Sequence, residues 1–472
     1  MRKTKSIISS VLCLSLVLGM TACSETEGGG SSGQTMATTQ EDFTIDLGDI
    51  TLDIEENQSI EGAVVNYLGS YDITKAGDIK PAVTYFQDNY GATIEVATMG
   101  DSEIMDQLAT LIQSGDSPDL VDQRSNSFPY YIAQNTYMNL DDYMDLSAPQ
   151  WQDVASIVES YAVGGKHYYY PWAYYMCSNV LIYNRAKLSA FGLDDPKELY
   201  DKGQWTWDEF YNIMEEFVSK AQADFPDAIG VYGSVTSSFI DTTGTPLVGF
   251  ENGQLVNNLN NANVDRAQTF LENCKKQGLS MLQLADYGYN NVDHDPVLLG
   301  YSAFHCVGDW KITDYSKKQA TNPDADIMFV PLPKDPNADK FYLRLNTMAY
   351  LVPSGAKDVE AACVFINCMR LSKTDASIQS VVKESIMKEK KYTDEQYDFW
   401  ATLQDPSKFD NSQLVTDFAY SLDKDTNDQI VSKICEDIPF VENEELPSWT
   451  SARESFSGAF AAAIDSINAN LK

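Results

Sequence analysis

Histidine and basic residues are scarce in this chain. Only three histidines occur in 472 residues, and His167, His294 and His305 share no ligand spacing, so no zinc site is predicted. There are 33 Lys+Arg residues against 69 Asp+Glu residues, giving a net charge of −36. That charge repels nucleic acids and anionic membrane surfaces and argues against both as partners. The sequence also lacks a phosphate loop, a dinucleotide-binding fingerprint and a Gly-x-Ser-x-Gly motif, so no cofactor is predicted.

The N-terminus has the form of an export signal. An apolar run over 7–20 follows basic residues and is too short and too close to the terminus for a membrane-spanning helix. Small residues stand directly before Cys23, which resembles the bacterial lipobox, where the cysteine receives a diacylglyceryl group. We therefore predict a lipoprotein signal peptide over 1–22, lipidation of Cys23 and an anchor in the membrane. The alternative is an ordinary signal peptide cut after Ala22.

A globular body outside the cytoplasm is predicted to follow a flexible N-terminal tether. The segment 23–57 contains the glycine- and serine-rich run 28–33 and has no apolar periodicity, so it is predicted to be a flexible acidic tether. The remaining length implies two or more domains. No Cys-x-x-Cys occurs, and the later cysteines are predicted to be small buried hydrophobic residues, although a disulfide stays open for an exported chain.

Strand and helix patterns alternate in the first part of this body. Short β-type runs occur at 63–68, 92–96 and 119–121, and apolar residues recur at helical spacing over 79–86 and 104–112. Successive strand–helix–strand units of this length predict a parallel sheet with right-handed crossovers.

Several segments, in order along the chain, resemble one family. They are similar to the motifs of family 1 extracellular solute-binding proteins, of the maltodextrin-binding-protein type, which serve bacterial ABC sugar importers. Each motif alone is weak, whereas their order behind a lipoprotein signal is strong. The segments are Gln-Ser-Gly-Asp-Ser-Pro-Asp-Leu-Val at 113–121, Gly-Lys-His-Tyr-Tyr-Tyr-Pro at 165–171, Val-Leu-Ile-Tyr-Asn at 180–184, Phe-Gly-Leu at 191–193, Trp-Thr-Trp-Asp-Glu-Phe at 205–210, Gly-Asp-Trp at 308–310 and Phe-Val-Pro-Leu-Pro at 329–333.

The resemblance implies an α/β, two-lobed, periplasmic-binding-protein-like fold. Each lobe would be a mixed sheet flanked by helices, with a ligand cleft between the lobes. The N-terminal lobe would comprise 58–172 and 332–378, and the C-terminal lobe 173–331 and 379–472. Open α/β sheets in general place ligands beyond the carboxyl ends of their strands, which favours the same location.

Aromatic residues are the first candidates for the ligand site. Trp172, Tyr174 and Tyr175 belong to a cluster at the expected first crossing between the lobes, and aromatic faces suit the C–H faces of sugar rings. Trp310 and Trp449 align with family tryptophans that stack on sugar. For each of these residues the alternative is packing in the core of a lobe.

Polar residues at strand ends are the second group of candidates. Asp72 follows the first predicted strand, and Asp122, Arg124 and Asn126 follow the third. Carboxylates and guanidinium groups bind vicinal hydroxyls in forked geometry, so these residues are predicted to hold sugar hydroxyls. The alternative is a set of solvated loop charges. Asp119 belongs to a turn motif of the family and is predicted to be structural.

Together these features predict a binding protein without a catalytic residue, metal or cofactor. It would be a monomeric, membrane-anchored component of an ABC importer on the outer face of the bacterial cytoplasmic membrane. It would capture an oligosaccharide in the interlobe cleft and deliver it to the transmembrane subunits of the permease. One alternative is the same role for a peptide, polyol phosphate or metal chelate. The other is a surface glycoside hydrolase with paired carboxylates.

Overall fold

The computed structural model describes residues 60–471, except 76, 78, 178, 234–235, 282–294, 406–407 and 438–447. All described residues belong to one compact unit of the chain, 33–472. The predicted signal peptide, the lipidation residue Cys23 and the tether lie outside the described residues. Within the described part, no helix combines the length and the apolar character that a membrane crossing requires.

The first sheet is built on the strand–helix alternation that the sequence predicts. Its strands are β1 (Val64–Gly69), β2 (Thr93–Thr98), β3 (Leu120–Asp122), β4 (Tyr170–Met176), β12 (Leu343–Leu351) and β13 (Leu414–Val415). The order is β13-β12-β3-β1-β2, with β4 paired to β12. Strand β1 runs parallel to both β2 and β3, which confirms the predicted parallel arrangement. Strand β12 runs antiparallel to β3 and β4, so the complete sheet is mixed.

The second sheet is also mixed. Its order is β11-β5-β10-β6-β9, and β10 runs antiparallel to β5 but parallel to β6. A separate hairpin is formed by β7 and β8. These strands are β5 (Asn179–Asn184), β6 (Ile229–Tyr232), β7 (Val248–Glu251), β8 (Gln254–Asn257), β9 (Ser280–Met281), β10 (Ser302–Gly308) and β11 (Ile327–Pro331).

Helices accompany both sheets, and local signals explain several of their ends. Helices α1 and α2 end at Gly91 and Gly115, whose φ angles of 63° and 79° suit glycine. Thr206 caps α6 by accepting a hydrogen bond from the Glu209 amide. The helices are α1 (Lys80–Tyr90), α2 (Ile104–Ser114), α3 (Ala155–Ser160), α4 (Arg185–Ala190), α5 (Pro196–Asp201), α6 (Trp207–Ala221), α7 (Thr236–Asp241), α8 (Ala262–Lys276), α9 (Pro296–Leu299), α10 (Ile312–Thr321), α11 (Val359–Thr374), α12 (Ala376–Lys390), α13 (Asp394–Leu403), α14 (Lys424–Thr426) and α15 (Trp449–Asn468).

The chain passes between the two sheets at identifiable points. It leaves the first sheet after Met176 and enters the second at Asn179, and it returns from Pro331 in β11 to Leu343 in β12. The antiparallel ribbon of β4 and β12 extends beyond the carboxyl end of β3, because Tyr350 is the β12 partner of Asp122. The residue boundaries of the two lobes stay a prediction.

Burial confirms two predicted structural roles. The cysteines of the described part are all buried, and none of them forms a disulfide bond. The Asp119 carboxylate accepts hydrogen bonds from the amide and side chain of Asn66 and from the amides of Lys357 and Asp358, at 2.9–3.0 Å. Asp119 therefore ties β3 to β1 and to the start of α11.

Candidate functional site

A charged cluster lies at the carboxyl end of β3. Arg124 donates from Nη2 to Asp122 Oδ2 over 2.9 Å and from Nη1 to Asp101 Oδ1 over 2.5 Å. Burial raises the pKa of Asp122 to about 6, although Arg124 acts in the opposite direction. Among the described residues, Arg124 Nε and Tyr67 Oη are buried without a hydrogen-bond partner. The cluster thus has two carboxylates for one guanidinium group and unused polar atoms beside them.

The other two polar candidates lie in the loops that follow β1 and β3. Asp72 Oδ1 accepts hydrogen bonds from the amide and hydroxyl of Thr74, and its carboxylate forms an ion pair with Lys75 at 2.9 Å. Burial opposes these contacts, but together they lower the pKa of Asp72. Asn126 is partly buried, and its carbonyl accepts from the Tyr131 amide. Each residue has a local role, and within the described residues neither is hydrogen-bonded to the Arg124 cluster.

Trp172 packs inside the first lobe rather than facing solvent. Its ring is 1% exposed and stacks on Tyr350 at 5.7 Å, while Lys373 lies 5.3 Å from the ring centre. Within the described residues its indole Nε1 is buried without a hydrogen-bond partner. Its burial favours packing, the alternative to the ligand role predicted for it.

Tyr174 and Tyr175 lie further along the same ribbon, beyond the carboxyl end of β3. Both are partly buried. Burial raises the pKa of Tyr174 to about 12, and the nearby carboxylates of Asp153 and Asp405 act in the same direction. Asp405 follows α13, so the end of that helix lies close to the ribbon. Tyr174 consequently lies where the end of α13 approaches the β4–β12 ribbon.

Trp310 is the predicted aromatic residue that the structure leaves most exposed. It lies in a short turn, Asp309–Lys311, directly after β10, and is 44% exposed. Its indole lies back over Gly308, because a Cβ atom at Gly308 would stand 2.3 Å from Trp310 Nε1. Lys311 Nζ lies 5.4 Å from the ring centre. The glycine of the Gly-Asp-Trp motif therefore makes room for the indole at the carboxyl edge of the second sheet.

Asp309 and Trp400 lie at the same edge of the second sheet as Trp310, and neither was identified as a site residue from the sequence. Asp309 Oδ2 accepts hydrogen bonds from Trp400 Nε1 at 3.3 Å and from Gln404 Nε2 at 3.5 Å. Asp309 is partly exposed as a residue, but protein atoms surround its carboxylate. That burial raises the pKa of Asp309 to about 6, and the Trp400 hydrogen bond opposes the shift. Trp400 itself is partly exposed on α13.

Trp449 lies in the core. It is the first residue of α15 and is 1% exposed. Its indole Nε1 donates to Asp265 Oδ1 over 2.9 Å, and its amide donates to Glu272 Oε1 over 3.2 Å, so it joins α15 to α8. This placement favours core packing, the alternative to the stacking role predicted for Trp449.

A buried ion pair connects β12 of the first sheet to α7. Arg344, at the start of β12, lies 3.3 Å from Asp241, the last residue of α7, whose side chain is only 1% exposed. Among described residues, both Asp241 carboxylate oxygens lack a hydrogen-bond partner. A cavity of about 10 Å³ adjoins Arg344 and Cys177, room for about one water molecule. In the described part of the chain, no group of three His, Cys, Asp or Glu side chains is arranged to hold a metal ion.

The sequence matches a family profile over more than half of its length. The profile described as "Bacterial extracellular solute-binding protein" matches residues 82–379, which include β2, β3 and the turn that carries Trp310. The chain belongs to the bacterial extracellular solute-binding proteins. This is a family of binding proteins and not of enzymes. No curated relative matches the sequence.

Solved solute-binding proteins share the fold. The sugar-binding protein MalE from Xanthomonas citri has a TM-score of 0.60 at 15% identity, over 87% of this chain and 96% of its own. UgpB from Mycobacterium tuberculosis, in complex with glycerophosphocholine, has a TM-score of 0.60 at 15% identity, over 86% and 99%. An ABC substrate-binding protein from Listeria monocytogenes, in complex with cycloalternan, has a TM-score of 0.56 at 14% identity, over 86% and 98%.

These similarities confirm the predicted fold class. The family member described here has the two-lobed α/β architecture, with a mixed sheet flanked by helices in each lobe. At 14–15% identity the likeness concerns the fold alone. The ligand-binding roles of the individual residues stay predictions.

Proposed function

We propose that this solute-binding protein captures a neutral oligosaccharide between its lobes and delivers it to an ABC permease. The observation that carries the proposal is the exposed indole of Trp310 at the carboxyl edge of the second sheet, in a chain of this family. Aromatic faces bind the apolar faces of sugar rings, and ligands of open α/β sheets bind beyond this strand end.

Charge supports a neutral ligand over an anionic one. Arg124 is already paired with Asp101 and Asp122, so the cluster at the end of β3 carries more negative than positive charge when both acids are ionised. An anionic solute would have to displace these carboxylates from Arg124 and would meet a chain with a net charge of −36. A second candidate is a zwitterionic solute, since UgpB of similar fold has glycerophosphocholine bound.

Calorimetric titration with maltotriose, mannotriose, cycloalternan and glycerophosphocholine tests this proposal. Binding of one of the three oligosaccharides without binding of glycerophosphocholine is the expected result. Binding of glycerophosphocholine alone would support the second candidate. Release of new reducing ends from maltotriose or mannotriose, measured in the same samples, would support the hydrolase alternative and contradict a pure binding role.

Lobe closure is part of the proposed mechanism. A ligand that contacts both lobes binds the closed arrangement more tightly than the open one. It therefore shifts the protein towards the closed arrangement. Small-angle X-ray scattering should therefore give a smaller radius of gyration with the saturating oligosaccharide than without it. An unchanged scattering curve at saturation would contradict binding between the lobes.

The anchor and the location are proposed from Cys23 and its neighbours. Lipidated Cys23 would hold a monomeric body on the outer face of the cytoplasmic membrane, beside the permease. Cys23→Ala is expected to move the protein from the membrane fraction into the soluble fraction. A variant that stays with the membranes would contradict anchoring through Cys23.

A further inference from the structure

The turn after β10 carries one tryptophan and holds a second through the Asp309 carboxylate. Trp400 comes from α13, and its indole N–H is held by Asp309, the residue directly before Trp310. The hydrogen bond fixes the polar edge of the Trp400 ring next to the turn that carries Trp310. Both indoles are therefore placed at the same strand end by short local contacts.

These two tryptophans differ from all the others in the chain. The protein has seven tryptophans. Trp310 is 44% exposed and Trp400 is partly exposed, whereas the remaining five are at most 3% exposed. Exposure of a large aromatic side chain costs hydrophobic stabilisation, so two such residues together indicate a surface that another molecule covers.

The position of α13 places this surface near the first lobe. Asp405, shortly after the end of α13, acts electrostatically on Tyr174 of the β4–β12 ribbon. The same helix also supplies Trp400 to Asp309, and Gln404, directly after the helix, donates to the same carboxylate. The C-terminal end of α13 thus lies close to both the Asp309 turn and the β4–β12 ribbon.

We propose that Trp400 is a second solute-contacting residue beside Trp310, and that Asp309 is the positioning residue that orients the Trp400 indole. The proposal rests on the proposed function and names the apolar face of a pyranose ring as the group that Trp400 contacts. An acceptor on the indole N–H holds the ring edge, and the ring face stays available for the sugar.

Acrylamide quenching of tryptophan fluorescence tests where the solute binds. Acrylamide is neutral, so the protein's charge does not repel it, and the five buried tryptophans are shielded from it. Saturating maltotriose or mannotriose, whichever wild type binds, is expected to reduce quenching in wild type, in Trp310→Phe and in Trp400→Phe. Protection that disappears completely in Trp310→Phe would show that Trp400 is not covered and would overturn the proposal.

Affinity measurements test the roles of the individual groups. Trp400→Ala is expected to weaken binding of the same trisaccharide about tenfold or more, as truncation of an aromatic hot spot does. Asp309→Leu removes the acceptor and is expected to lose affinity similarly, whereas Asp309→Asn keeps an acceptor and is expected to lose much less. Trp151→Phe is the matched control, because Trp151 donates its N–H to Asn367 Oδ1 at 2.7 Å but is fully buried.

The outcomes separate the two proposals. If wild type binds none of the oligosaccharides, the proposed function fails and this inference fails with it. If wild type binds but Trp400→Ala, with an unchanged urea midpoint, binds equally well, only the role of Trp400 is overturned. Equal affinities of Asp309→Leu and Asp309→Asn would overturn the positioning role of Asp309.

Discussion

Removal of Arg344 should destabilise the protein more than removal of any exposed cation. Arg344 faces Asp241 at 3.3 Å, and their side chains are 13% and 1% exposed. Asp417 is a second buried carboxylate whose charge acts on Arg344. Arg344→Leu leaves both carboxylates without their cation, and breaking a buried pair on one side costs about 3–5 kcal/mol. We expect a loss of that size in the free energy of unfolding at pH 8.

The loss should depend on pH. Burial raises the pKa of Asp241 well above its usual value, and Arg344 opposes that shift. A raised folded-state pKa gives a stability contribution that is present below the unfolded value and is lost as pH rises through the folded value. Without Arg344 the shift grows, so acidification helps the variant more than wild type. The deficit of Arg344→Leu should therefore be smaller at acidic pH than at alkaline pH.

Urea denaturation followed by circular dichroism measures both effects. The double variant Arg344→Leu/Asp241→Leu should recover most of the loss, because an apolar pair can replace a buried ion pair. Asp417 keeps hydrogen bonds from the amides of Val248 and Ala419 in that variant. Lys202→Leu, which removes an exposed ion pair, is the control and should leave the midpoint unchanged. A deficit below about 1 kcal/mol, or one that is independent of pH, would refute the reasoning.

Four further variants test the placement of individual side chains by urea denaturation. Trp449→Ala should lower the free energy of unfolding by about 3–5 kcal/mol because the ring is buried, whereas Trp310→Ala should lower it far less because that ring is exposed. Equal losses in the two variants would contradict the packing described. The pKa of Asp122 is raised from 3.8 to about 6, so this group contributes stability that is present below pH 3.8 and is lost as pH rises through 6. Asp122→Asn removes the titrating group and should flatten the dependence of the free energy of unfolding on pH between about 4 and 6. Burial lowers the pKa of His167, but Asp141 and Glu159 outweigh burial and raise it above its usual value. His167→Gln should therefore lower the free energy of unfolding by up to about 1 kcal/mol at pH 5.5, and by less as the pH rises through the folded-state pKa.

The sequence was most informative where structure depends on near neighbours. The β-type runs predicted β1, β2 and β3, and the helical spacing of apolar residues predicted α1 and α2. Each of these signals acts within a few residues of chain. The family resemblance then supplied the two-lobed arrangement, which no local pattern specifies.

Candidate site residues were harder to separate, because burial is decided by distant partners. Trp310 and Trp449 look alike as sequence candidates, yet Trp449 is held by Asp265, 184 residues away. Trp400 reads as one apolar residue on the face of a helix, and only the contact with Asp309, 91 residues away, connects it to the Trp310 turn. No spacing rule could identify such pairs from this sequence.

Labelling of the buried cysteines reports how often the folded protein opens. The thiolate is the form that attacks a thiol reagent, and burial raises the pKa of the Cys177 thiol in the segment between β4 and β5. Burial likewise raises the pKa of Cys274 and Cys363 to about 12. The rate at which the native protein reacts with a thiol reagent thus measures how often a core or the interlobe segment becomes accessible to solvent. A cysteine introduced on the surface would be labelled long before any of these residues.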